Sequence, residues 1–139
     1  MTNSLTIVGL GYVGLPLAQE ACRSGLKATG LDTDPSVVSA LSAGVSHIGD
    51  IDPADLAEML GAGFLATTRP TCISDSDVIV ICVPTPLDDD GTPDLGAVKA
   101  ATRTVSEHLQ PRSLVVLEST TYPGTTEDAV RPLLEAGSG

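Results

Sequence analysis

The chain has 139 residues, 42% of them hydrophobic, and a formal net charge of −11. That length fits one domain with a real core, and the apolar content excludes a disordered chain. So acidic a surface argues against nucleic acid and anionic membranes as partners, and no apolar run approaches membrane-spanning length.

In chain order, strands and helices alternate. Leu5 to Val8 is an apolar run read as the first strand. Directly after it stands Gly9-Leu10-Gly11-Tyr12-Val13-Gly14, a G-x-G-x-x-G string. This string opens a helix from Tyr12 to Ser24 with apolar Val13, Leu17, Ala18 and Ala21, closed by Gly25 as a C-cap. Pro16 falls in or just after the first turn, where a missing N–H costs little. Lys27 to Leu31 is the second strand, and Asp32 stands at its end. Asp34 as N-cap and Pro35 at the first helical position open a second helix that runs to about Ala43 and ends at Gly44.

Val45 to Gly49 reads as a loop, Pro53 to Leu60 as a short helix capped by Asp52, and Phe64 to Thr67 as a short strand. Ser74 to Ser76 is a turn, and Val78 to Val83 a strand apolar on both faces, as a central parallel strand should be. The loop Pro84 to Pro93 contains Asp88-Asp89-Asp90, which reads as a solvated stretch rather than a metal site, because no other ligand stands at a suggestive spacing. Asp94 caps a helix running to about Leu109, and Ser113 to Leu117 is the next buried strand. Gly124 to Glu135 is a final helix, interrupted near Pro132. The fold class is therefore α/β: a Rossmann-type doubly wound parallel sheet with helices on both faces, filling residues 1–139 as one domain. In such a sheet ligands bind outside the carboxyl ends of the strands.

A G-x-G-x-x-G string between a strand and a helix, with an acid about 20 residues on, marks a dinucleotide-binding βαβ unit. Gly9 allows the sharp turn, Gly11 lets a pyrophosphate approach the backbone, and Gly14 lets the helix pack closely on the sheet. The helix N-terminus offers N–H groups to phosphate, so the acidic composition is no obstacle. Asp32 would accept bonds from a ribose diol and repel a 2′-phosphate. Thr33, Asp34 and Pro35 follow it without an Arg, which favours NAD over NADP as cofactor. The three cysteines, Cys22, Cys72 and Cys82, form no C-x-x-C pair; Cys22 and Cys82 read as buried small residues, and a reduced, cytoplasmic setting follows. Met1-Thr2-Asn3-Ser4 has no positive charge, so no secretory signal is expected there. His47 lies in the loop Ser46 to Gly49 and His108 near a helix end, where a cation suits the dipole, and no triad is suggested.

Three segments carry a resemblance. Gly9 to Pro16 (G-L-G-Y-V-G-L-P) resembles the opening of the UDP-glucose/GDP-mannose dehydrogenase family. Val83-Pro84-Thr85-Pro86 is similar to that family's loop after the fourth strand. Ser119-Thr120 with Pro123-Gly124-Thr125 is similar to its S-T-x-x-P-G-T segment, and Leu117 to Thr126 is most similar to the branch that oxidises UDP-N-acetyl-hexosamines. The resemblance implies two NAD-dependent oxidations at C6 of a nucleotide sugar, alcohol to aldehyde to carboxylate, of the kind used in polysaccharide biosynthesis. It implies that Gly11, Tyr12 and Val13, flanked by Gly9 and Gly14, meet the pyrophosphate, and that Asp32 meets the adenosine ribose. It further implies that Pro84 and Thr85, with Val83, line the nicotinamide side. Ser119 and Thr120 join the cofactor-binding set, and Thr120 is implied as the catalytic residue that orients a water near the reacting carbon. No metal is implied.

The family's catalytic cysteine belongs to a second half, and no G-x-C-x-P-K-D-like segment occurs here. The chain thus reads as the NAD-binding half, inactive alone, without the central helix and the sugar-binding domain. The nucleotide sugar would be held by that other half, and full-length members would be homodimers. Two other readings stand beside this one. The first is a non-catalytic truncated NAD-binding module. The second is a hydroxy-acid or hydroxyacyl dehydrogenase, against which the Val83 to Pro86 and Ser119 to Thr125 segments argue.

Overall fold

The protein is described here from a computed structural model, in which residues 4–49, 51–84, 89–91, 95–111 and 113–118 are described. Five parallel strands form one sheet: β1 (Ser4–Val8), β2 (Lys27–Leu31), β3 (Leu65–Thr67), β4 (Val78–Ile81) and β5 (Leu114–Leu117), in the order β3-β2-β1-β4-β5. Four α-helices connect them: α1 (Gly14–Arg23), α2 (Pro35–Ser42), α3 (Pro53–Gly61) and α4 (Gly96–His108). Among the described residues no helix is long and apolar enough to cross a membrane.

The period-2 alternation of the strands divides the core in two. Ile7 of β1 and Val80 of β4 face Leu15 and Ala18 of α1, Leu41 of α2, and Leu56 and Met59 of α3. Val8, Ile79 and Ile81 point the other way, against Ile73 and against Ala101 and Val105 of α4. Each fully buried Leu or Ile contributes about 1.5–3 kcal/mol by leaving water. The doubly wound α/β sheet expected from the alternation is the one observed. The progression from β1 to β3 runs one way and that from β4 to β5 the other, so the direction reverses between β1 and β4.

The helix ends follow local chemistry. Asp34 caps α2 by accepting from the Ser36 N–H at 2.9 Å, with Pro35 behind it. Asp52 and Asp55 form a reciprocal capping box at the start of α3, each side chain accepting from the other's backbone N–H. Helices α1, α2 and α3 each close in a Schellman arrangement. In α1, for example, Gly25 donates to the Cys22 carbonyl and Leu26 to that of Ala21. Arg23 at the end of α1 pairs with Glu20 at 3.2 Å and reaches Asp55 of α3 at 3.9 Å; at the surface such pairs are worth little.

Several boundaries differ from the sequence expectation. Helix α1 starts at Gly14, which places Pro16 in its first turn. Val13 is its 54%-exposed N-cap, outside the buried stripe of Gly14, Leu15, Ala18 and Ala21, while Leu17 is partly buried and packs against the same core. Phe64 lies before β3, because its N–H closes α3 by bonding the Met59 carbonyl. The expected turn at Ser74 to Ser76 belongs to a 3₁₀ helix, Pro70–Asp75. Strand β4 ends at Ile81, although Cys82 still donates to the Val8 carbonyl at 2.7 Å. Helix α4 begins after Leu95 with no side-chain cap, so Asp94 is not its N-cap residue; Asp94 itself lies outside the described residues. Strand β5 is half-exposed rather than buried, because among the described residues it is the sheet edge. Cys22 is half-buried and Cys82 buried. The final helix expected over Gly124 to Glu135 lies outside the described residues.

Two contacts fix the turn after β1. Gly9 has φ +100°, and a Cβ there would lie 2.9 Å from the Cys82 carbonyl carbon and oxygen. A Cβ at Gly14 would lie 1.8 Å from the Gly9 carbonyl oxygen and 3.2 Å from Ile7 Cγ2. Replacing Gly14 by Ala must therefore push α1 off the sheet. A loss of about 3 kcal/mol or more is expected for Gly14→Ala, read as a fall in the urea midpoint.

Burial pushes the Cys82 thiol up to about 11, with a further push from the Glu118 carboxylate. The folded state therefore keeps a proton that the unfolded chain releases from pH 9.0 upward, and stability should fall as pH rises from 9.0 to about 11. Urea unfolding across that window should show the fall, and Cys82→Ala should make it shallower, with Cys22 and Cys72, also raised by burial, retaining part of it.

Candidate functional site

The carboxyl ends of β1, β2 and β4 open into a cleft of about 410 Å³. Gly9, Asp32, Val83 and Pro84, all singled out from sequence, line it together. Its far wall is the small-residue face of α4, Ala97, Ala100 and Thr104, which sequence reading missed. The signal was present as small residues at helical spacing, but such a stripe reads equally well as packing. None of the described lining residues is Lys or Arg.

Asp32 sits half-buried at the end of β2. Its Oδ2 accepts from the Leu10 N–H at 3.0 Å and its Oδ1 from the Asp34 N–H at 3.0 Å. A carboxylate has about four lone-pair sites, so roughly two stay available to a diol. Asp34 is engaged elsewhere. Its Oδ1 takes the Ser36 hydroxyl at 2.6 Å as well as the Ser36 N–H. These bonds, the hydroxyl first, hold its carboxyl below the usual range.

The turn between β1 and α1 is braced rather than loose. Gly9 donates to the Leu31 carbonyl at 2.8 Å. Leu10, 1% exposed, drops its side chain onto β2, where a Cβ on Gly30 would lie 2.6 Å from Leu10 Cδ2. His47 Nε2 bonds the Leu10 carbonyl at 2.5 Å. From sequence His47 reads only as a loop residue, since its partner stands 37 positions away. A Cβ on Gly11 would meet nothing within 4 Å, and Tyr12 and Val13 are 76% and 54% exposed. The exposed turn, Gly11 to Val13, thus leads into the N-terminus of α1 at Gly14, with free space beside Gly11. An open turn, a helix N-terminus and a half-free carboxylate suit an elongated anionic ligand with a diol at one end.

Thr85, Ser119 and Thr120 lie outside the described residues, as does Asp88. Asp89 and Asp90 are exposed, and His108 is half-buried at the end of α4. Among the described residues no group of three or more His, Cys, Asp or Glu is placed to hold a metal ion.

Residues 3–139 match the model of the UDP-glucose/GDP-mannose dehydrogenase family, NAD binding domain. UDP-N-acetyl-D-mannosamine dehydrogenase of Pyrococcus horikoshii is 42% identical over 139 residues, covering 97% of this chain and 32% of that protein. UDP-N-acetyl-D-glucosamine 6-dehydrogenase of Pseudomonas aeruginosa is 36% identical over 137 residues, with 97% and 31% covered. The structure of a UDP-glucose dehydrogenase from Pyrobaculum islandicum superposes with a TM-score of 0.93 at 34% identity, over 100% of this chain and 34% of that one. The chain thus spans about a third of the length of the relatives it matches. A Rossmann sheet opening at the β1–β4 reversal and a family match across nearly its whole length agree: this chain belongs to the UDP-glucose/GDP-mannose dehydrogenase family, as its NAD-binding domain.

Proposed function

We propose that this chain holds NAD along the cleft for a nucleotide-sugar 6-dehydrogenase that oxidises the C6 alcohol of a UDP-N-acetyl-hexosamine to a carboxylate. The observation that carries the reading is the joint placement of Gly9, Asp32, Val83 and Pro84 around one cleft at the reversal point of the sheet. The relatives named as UDP-N-acetyl-D-mannosamine and UDP-N-acetyl-D-glucosamine dehydrogenases support the substrate class.

In this reading the N–H groups of Gly11, Tyr12 and Val13 meet the pyrophosphate, with Gly9 and Gly14 shaping the turn. The free lone pairs of Asp32 accept the adenosine ribose hydroxyls, and its charge rejects a 2′-phosphate. Val83, Pro84 and Thr85 border the nicotinamide. Ser119 completes the cofactor contacts, and Thr120 orients a water at the reacting carbon. When bound, NAD supplies the hydride acceptor for both oxidations.

The thiol that would carry the second oxidation comes from another part of the protein. Burial raises Cys22, Cys72 and Cys82 alike, the opposite of what a thiolate nucleophile needs. Residues 1–139 are accordingly the cofactor domain of a longer enzyme and are inactive alone.

Calorimetric titration tests the cofactor reading. NAD should bind more tightly than NADP, and Asp32→Ala should weaken NAD about tenfold or more, the value of one or two charge-assisted hydrogen bonds. Equal binding of NAD and NADP would sink it. Gly11→Ala gives a second check. The added methyl meets no protein atom, so stability should stay within about 0.5 kcal/mol while NAD affinity falls.

A further inference from the structure

We propose that His47 is a positioning residue for the phosphate-binding turn, setting the direction of the Gly11 N–H through the Leu10 carbonyl. The proposal rests on the reading of Gly11 to Val13 as the pyrophosphate cradle.

The argument begins with one peptide unit. The Leu10 carbonyl and the Gly11 N–H belong to the same planar group, and no cis bond is present among the described residues. In a trans peptide the two point in opposite directions. A bond from His47 Nε2 at 2.5 Å that fixes the carbonyl therefore fixes the N–H as well. That N–H then faces away from the His47 loop, at a glycine with open space beside it.

Left alone, this unit would be prone to rotate. Gly11 has no Cβ to restrict its φ, so the Leu10–Gly11 peptide could flip at little cost. The other bonds to Leu10 do not prevent it. The Asp32 carboxylate holds the Leu10 N–H, which belongs to the preceding peptide, and the packing on Gly30 holds the side chain. Among the described residues, the His47 contact, reaching across 37 residues from the loop between α2 and α3, is the one hydrogen bond to the unit that carries the Gly11 N–H. A hydrogen bond to a carbonyl also polarises the peptide and makes its N–H a better donor.

The test compares wild type, His47→Ala and His47→Gln in this chain. Gln can place an amide N–H near the position of Nε2. Affinities for NAD, ADP-ribose and adenosine are measured by calorimetry or NMR titration. His47→Ala should weaken NAD and ADP-ribose about tenfold, the value of one hydrogen bond, and leave adenosine within about twofold. His47→Gln should restore most of the loss. Unchanged ADP-ribose affinity, or an equal loss for adenosine, overturns the proposal. If wild type binds none of the three ligands, the cofactor reading above fails instead, and the free protein still decides. The Gly11 backbone order parameter should drop from about 0.85 to below about 0.6 in His47→Ala, and an unchanged value overturns the positioning role.

Discussion

The structure depends on the contact between the Gly9 carbonyl and the backbone of Gly14. With no side chain at position 14, the first turn of α1 settles onto the end of β1, and the space a Cβ would need is already filled by that carbonyl. Gly9 is pressed on its other side by the Cys82 carbonyl. One short turn is thereby locked between the helix it starts and the strand it runs beside. Three things follow from this lock. The α1 N-terminus is placed at the end of the sheet, the turn after β1 is held against the backbone that follows β4, and Leu10 enters the space left by Gly30.

Much of this was legible because the chain punctuates itself. Asp34-Pro35 and Asp52-Pro53 start helices, and Gly25 and Gly44 follow helix ends, each through chemistry confined to a few neighbouring residues. The sheet order and the side of the sheet on which each helix sits are not local properties. The apolar run Leu114 to Leu117 reads the same in a central strand as in the half-exposed edge it forms. Val13 has the right polarity for the buried face of α1 but sits at the N-cap, one step outside the stripe. The 3₁₀ helix Pro70–Asp75 has too few residues for any periodicity to show.

The site divides along the same line. Gly9, Asp32, Val83 and Pro84 could be read because each follows the end of a strand, where an α/β sheet collects its ligands. The wall from α4 and the reach of His47 to Leu10 could not, since both arise from tertiary contacts between distant segments. Asp32 shows how closely scaffold and site overlap. The carboxylate expected to contact a ligand also ties the glycine turn to the start of α2.

The absence of Lys and Arg from the described lining of the cleft, in a chain of net charge −11, bears on ionic strength. A phosphate held by arginines loses affinity as salt screens the attraction. On the proposed reading the short-range attraction comes from backbone dipoles, while the long-range field of the acidic surface repels an anionic ligand. At physiological ionic strength the Debye length is about 8 Å, short enough to mute that field while leaving contacts at hydrogen-bond distance nearly intact. Added salt therefore removes more repulsion than attraction, and a dinucleotide approaching this surface meets a lower barrier in brine than in dilute buffer.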